Sequence, residues 1–295
     1  MKKGLFLFVV VLLSVGMSAQ SDSLNLLGTC TVNDLKQQPY TGWFVENYSA
    51  YVPNRKVVKQ LKEQDLSQLS VDVFFGTWCS DSQREVPRFL KVLDSIGVSP
   101  QACRLVGIGN AEPLYRQSPN NEEKGKHVYR APTFIIFLDN IEIGRIIEYP
   151  ATSLERDLLD IITDSQYIPN YPSYLILGAW LDEGILEDIN VSYKGLANQI
   201  RHITSSANEL NSFANLLSRR EKANPKIIST VLRINCNLYP EVYWTYTKLA
   251  EALSNNEGKH EEASEILQEG IEHIKAEADQ TRMQELLETV LSKIE

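Results

Sequence analysis

The stretch Phe74-Phe75-Gly76-Thr77-Trp78-Cys79-Ser80-Asp81-Ser82-Gln83-Arg84-Glu85-Val86-Pro87 decides the fold. Val71 to Phe75, which leads into it, is a β-branched and aromatic run that reads as a buried strand. Beyond Cys79 the apolar positions Val86, Phe89, Leu90, Val92 and Leu93 recur at helical spacing until Gly97, so the cysteine stands where a strand gives way to a helix. Leu105 to Ile108 is the next apolar strand, which completes a βαβ unit. Upstream, Pro53 to Leu69 carries Val57, Val58, Leu61, Leu66 and Leu69 between charged residues and predicts a helix. Downstream, an irregular polar stretch from Gly109 to Lys126 leads to Ala131-Pro132. Thr133 to Leu138 and Glu142 to Ile147 then form a hairpin about Asp139-Asn140, and a helix opened by Thr152 or Ser153 runs to Ile162.

After Pro169 strand signals vanish. Ser206 and Glu209 have the spacing of a capping box, and Asn224-Pro225 reads as an N-cap followed by proline at the first helical position. The domain expectation is a signal peptide over 1–19, an N-terminal segment over 20–34, an α/β domain over 35–165, a linker over 166–174 and an all-α domain over 175–295. The signal peptide rests on Lys2-Lys3, an apolar run and small residues ending at Ala19, which predicts an exported, periplasmic or secreted protein with no stable membrane insertion after cleavage. With 43% hydrophobic and 23% charged residues the 295-residue chain is an ordinary globular protein. Its net charge of -9 offers no basic face to nucleic acid.

The quoted segment resembles the active-site strand, turn and helix of the thioredoxin superfamily, where an aromatic strand precedes Trp-Cys-x-x-Cys and a helix proline follows. Trp78, Cys79 and Pro87 match in type and spacing, and Ala131-Pro132-Thr133 resembles the family's cis-proline loop, which faces the cysteine. The resemblance covers residues 35 to 165 and implies a thioredoxin-like α/β fold. Within the helical region Tyr246, Leu249, Ala250, Leu253, Ala263, Leu267 and Gly270 resemble a tetratricopeptide repeat with one extra turn residue, which implies a surface for a protein partner. The fold class expected is therefore an α/β thioredoxin-like domain followed by an all-α, repeat-like domain.

One position departs from the family pattern. Ser82 stands where the second, resolving cysteine belongs, and serine forms no disulfide. Cys79 keeps its place at a helix N-terminus, which favours a thiolate; Asp81 opposes this by like charge, and Arg84 at i+3 screens Asp81. A lone thiolate attacks a disulfide to make a mixed disulfide, and a thiol from elsewhere must release it. Cys103, at the far end of the neighbouring strand, lies about 17 Å away, well beyond the reach of about 7 Å between disulfide Cα atoms. Cys236 falls among helical core positions, whereas Cys30, in a segment with no predicted tether, is free to approach. Tyr129 and Arg130 precede the proline loop and are placed to contact a substrate peptide, and His127 is the one histidine near enough to line the cleft. The 4 histidines show no metal-ligand spacing, so neither metal nor other cofactor is expected. The expected activity is monothiol exchange, reduction or isomerisation of mixed disulfides, on envelope proteins in the service of redox homeostasis. The alternative is a non-catalytic peptide-binding module.

Overall fold

The computed structural model describes residues 25–294 except Glu221; the expected signal peptide lies outside the described residues. Five strands, β1 (Gly28–Cys30), β2 (Leu69–Phe75), β3 (Cys103–Gly107), β4 (Thr133–Leu138) and β5 (Ile141–Ile147), form one sheet in the order β1-β3-β2-β4-β5. β2 and β3 run parallel, from Val71 opposite Cys103 to Phe75 opposite Gly107, and the other pairs are antiparallel. Five helices accompany the sheet: α1 (Val32–Leu35), α2 (Thr41–Ala50), α3 (Arg55–Lys62), α4 (Ser80–Ile96) and α5 (Leu154–Ile162). The rest of the described chain is helical: α6 (Tyr174–Asp182), α7 (Tyr193–Ile200), α8 (Ala207–Ser218), α9 (Pro225–Leu238), α10 (Tyr243–Asn256), α11 (His260–His273) and α12 (Glu277–Leu291). An α/β part is thus followed by a helical part.

The sheet separates two apolar layers. On one face Val71, Val73, Phe75, Leu105, Phe134 and Ile146 pack against Phe89, Val92 and Leu93 of α4 and against Leu154 and Leu158 of α5. Phe89 and Phe134 meet with ring centroids 4.5 Å apart, which ties α4 to the middle of the sheet. The opposite face carries a smaller cluster of Phe74, Val106, Ile108, Val128, Ala131 and Ile135, and Trp78 and Cys79 rest on it.

Asp72 points to that second face, where Arg104 Nε donates to Oδ1 at 2.8 Å, and Arg104 Nη2 and Lys126 Nζ converge on Oδ2. Burial alone raises the carboxyl's pKa, but the two cations outweigh it and hold the group below the usual aspartate range. A depressed folded pKa contributes stability that is fully present above the unfolded value of about 3.9 and is lost as pH falls through the folded one. Asp72→Asn is therefore expected to cost about 2 kcal/mol at pH 7, with the gap to the natural protein closing below about pH 4. Urea unfolding at a series of pH values checks this, and a gap independent of pH would refute it.

The helical part closes over one core that includes Leu177, Trp180, Phe213, Leu217, Val231, Leu249, Leu253, Leu267 and Met283. Asn224 caps α9 as expected, accepting from Lys226 N at 3.0 Å with Pro225 at the first helical position. The expected capping box at α8 is corrected, because Ser206 makes no side-chain cap bond. Buried Glu209 instead accepts from the backbone N–H and hydroxyl of Ser173, both at 2.7 Å, and from those of Ser205. Spending a buried carboxylate on four donors ties the start of α6 to the start of α8, a better use of the charge than one cap. The positions read as repeat-like, Tyr246, Leu249, Ala250, Leu253, Ala263, Leu267 and Gly270, are all buried where α10 packs on α11. Gly270 admits this closeness, since a Cβ there would lie 2.6 Å from the Tyr246 ring and 2.4 Å from Met283 Cε. Within the expected linker, Asn170 Nδ2 donates to the carbonyls of Ile147 and Tyr149 at 3.0 and 2.8 Å.

Candidate functional site around Cys79

Backbone geometry at the end of β2 builds the site. Gly76 N donates to Ser82 Oγ at 3.1 Å, and Cys79 N donates back to Gly76 O at 2.9 Å, which folds the chain into a tight turn ahead of α4. The turn requires glycine, because a Cβ on Gly76 would stand 2.3 Å from the indole of Trp78. That indole is fixed in turn, with Nε1 donating to Ile108 O at 2.8 Å. Gln83 Nε2 donates to Thr77 O at 2.7 Å, and Leu26 N to Thr77 Oγ1 at 3.2 Å. Cys79 is left as the N-cap residue of α4, extended and without a side-chain cap bond.

The half-buried Cys79 thiol donates to Ala131 O at 3.1 Å. The Ala131–Pro132 bond is cis, and Thr133, next to it, pairs with Phe74 at the end of β2 and donates its hydroxyl to Arg130 O at 2.8 Å. Trp78, Cys79, Ala131, Pro132 and Thr133 are therefore brought together from segments about 50 residues apart in sequence by the β2–β4 pairing. Ser80 is exposed at the first turn of α4, and Asp81 beside it is paired with Arg84 at 2.7 Å, as its spacing predicts. Arg84 also reaches the buried Glu85, so its charge is shared between two carboxylates. Ser82 is fully buried beneath the turn, where its hydroxyl serves Gly76 and faces no substrate.

Tyr129 and Arg130, expected to contact a substrate peptide, are engaged within the protein. The Tyr129 ring lies in the helical core, 4.7 Å from Phe213 and 5.9 Å from Tyr174 between centroids. Arg130 donates to Glu148 and to Tyr174 Oη, each at 3.2 Å, with its guanidinium 4.3 Å above the Tyr171 ring. An aromatic ring and a buried guanidinium gain more from an apolar core, a carboxylate and stacking rings than from solvent, so both residues join the two parts of the protein. His127 is taken the same way: its ring sits against Gly178 of α6, and Nδ1 lies 3.9 Å from Asp182.

The cysteines also sort themselves. Cys30 is not free, because it closes β1 opposite Leu105. Cys103 opens β3 opposite Val71, at the end of the parallel pair remote from Phe75 and Cys79, and Cys236 is buried in α9. Burial pushes each of these three thiols up to about 12, helped at Cys30 by Asp34 and at Cys103 by Asp72.

Sequence reading missed Arg116. Its guanidinium lies 4.3 Å over the Trp78 ring and 5.6 Å from that of Tyr115, and Nη1 is buried with no hydrogen-bond partner among the described residues. A single arginine in a polar, aperiodic loop carries no signal that would place it there. Among the described residues no group of three or more His, Cys, Asp or Glu side chains could hold a metal ion, and no helix is long and apolar enough to cross a membrane. Comparison with known protein families, curated proteins and solved structures returned no match for this chain.

Proposed function

We propose that this chain is an exported, thioredoxin-like protein that performs monothiol thiol-disulfide exchange on proteins of the cell envelope. One observation carries the reading: a half-exposed Cys79 at the head of α4 faces Ala131 and Pro132, while the position three residues on is a buried serine. The Cys79 thiolate attacks one sulfur of a substrate disulfide, forming a mixed disulfide and expelling the other sulfur as a thiolate. With no second cysteine near Cys79 among the described residues, release falls to a thiol of the substrate or of a small molecule, which attacks the mixed disulfide and returns Cys79 as thiolate. The net result is isomerisation when the substrate supplies that thiol and reduction when a second small thiol then completes the exchange. Arg116, stacked on the Trp78 ring that Ile108 holds, is the proposed contact beside Cys79 for the incoming chain. The helical part, in which α10 and α11 pack as a repeat-like pair, is the proposed platform for a protein partner.

The test is the reduction of a glutathione–peptide mixed disulfide with reduced glutathione supplied. The natural protein is expected to accelerate it, and Cys79→Ser to reduce the rate to the uncatalysed background. Prereduced Ser82→Cys should reduce insulin disulfides one for one, closing an internal disulfide with Cys79 as it gives up two electrons, which the prereduced natural protein does not do without added thiol. Equal rates for the natural protein and Cys79→Ser would leave the non-catalytic binding reading in its place.

A further inference from the structure

Cys30 ends β1 directly opposite Leu105, and Cys103 stands two residues before Leu105 on β3. Side chains two apart on a strand share a face, so Cys103 projects with Leu105, and Cys30, the cross-strand partner of Leu105, projects with both. Both thiols accordingly pack on the same apolar layer beneath α4 and open into one cavity of about 520 Å³ lined also by Val32, Leu90, Leu93 and Val98. Diagonal neighbours across an antiparallel pair have Cα atoms about 7–8 Å apart, and a disulfide accepts up to about 7 Å. The approach still needed falls on an element able to supply it. β1 has 3 residues, lies at the sheet edge with β3 as its one neighbour, and ends at Cys30.

We propose that Cys30 and Cys103 form a disulfide that fastens β1 and the segment before α1 to the sheet. The oxidant is a small-molecule disulfide of the glutathione type. The Cys30 thiolate attacks it, forming a mixed disulfide and expelling one thiolate; the Cys103 thiolate then attacks the Cys30 sulfur and expels the second. Two protein thiols lose two protons and two electrons, and one small disulfide becomes two thiols. Because burial holds both thiols largely protonated, closure is slow in the folded protein at neutral pH and quickens in alkali or during folding. The bond stands apart from Cys79 and from the function proposed above.

The experiment uses the full chain in two arms, one incubated natively with oxidised glutathione at about pH 9 and one refolded in a glutathione redox buffer, each then alkylated and peptide-mapped without reduction. The expected result in at least one arm is a peptide pair linked through Cys30 and Cys103. Reductant should then lower the melting temperature by about 5–10 °C in the natural protein and by nothing in Cys103→Ser. Alkylated or glutathione-capped Cys30 and Cys103 in both arms would overturn the proposal. A link from Cys30 to Cys79 would overturn it too, and would make Cys30 the resolving thiol of the proposed exchange.

Discussion

At pH 7 a small alkylating agent such as iodoacetamide is expected to modify Cys79 at least about a thousand-fold faster than Cys30, Cys103 or Cys236. The argument compares thiolate fractions. A free thiol with pKa near 8.5 is about 3% ionised at pH 7, whereas a thiol at about 12 is ionised about once in 10⁵ molecules, a ratio of about three thousand. Burial places the three other cysteines at about 12. The proposed exchange requires Cys79, half-buried at the head of α4, to be the thiol that a small reagent reaches first. Rates at the three other thiols should climb about tenfold per pH unit through the alkaline range. Time-resolved mass spectrometry of the natural protein, reduced beforehand so that Cys30 and Cys103 are thiols, reads all four sites at once. A rate at Cys30 within tenfold of that at Cys79 would contradict the packing of β1 and return Cys30 to the site.

That ordering could be only half read from the sequence, and the reason is physical. The core strands β2, β3 and β4 announced themselves because each concentrates β-branched, aromatic or aliphatic residues in a short run, interrupted in β2 and β3 only by the Asp72–Arg104 pair and Ser70, and α4 and α5 because each lays one apolar stripe on the sheet. The site followed from those elements, since the end of β2 places Cys79 and the start of β4 places Ala131 and Pro132 opposite it. β1 gave no such signal: Gly28-Thr29-Cys30 is too short for a period, and pairing with β3 through its backbone is what holds it. α2 buries Phe44 alone, and α6, Tyr174 to Asp182, is apolar nearly all round, so neither shows an amphipathic stripe. Partner choice was the least legible feature. Glu209 had Ser206 as a partner by spacing and took Ser205 next to it and the distant Ser173, and Tyr129 and Arg130 had a local function by position and were drawn into the helical core and onto Glu148. Those outcomes depend on which side chains the fold brings near, and short-range spacing does not encode that.

Arg145 shows the same dependence at its strongest, and its removal is expected to destabilise the protein most. Its side chain is buried in β5 opposite Ile135, on the sheet face where Cys79 rests. Nε and Nη2 donate to the two oxygens of Glu142 at 2.7 and 2.8 Å, and Nη1 donates to the carbonyls of Lys126 and His127 at 2.9 and 3.3 Å. One guanidinium thus anchors the segment that feeds the Ala131-Pro132 loop, and it fixes the backbone of Lys126, whose ammonium pairs with Asp72. Arg145→Met keeps most of the volume but strips two carbonyls and a carboxylate of their donors, for an expected loss of about 3–5 kcal/mol. Glu142 is the partner best able to turn to solvent, being one-third exposed, so the two carbonyls carry most of that cost. Arg145→Lys should recover only part of the loss, because a single ammonium lacks the planar fork that serves both carboxylate oxygens and still reaches Lys126 O. Denaturant unfolding of the three proteins measures the difference. A Met variant within 0.5 kcal/mol of the natural protein, on the order of an ordinary surface substitution, would show that water or a shifted backbone satisfies those carbonyls and that Arg145 does not anchor the loop.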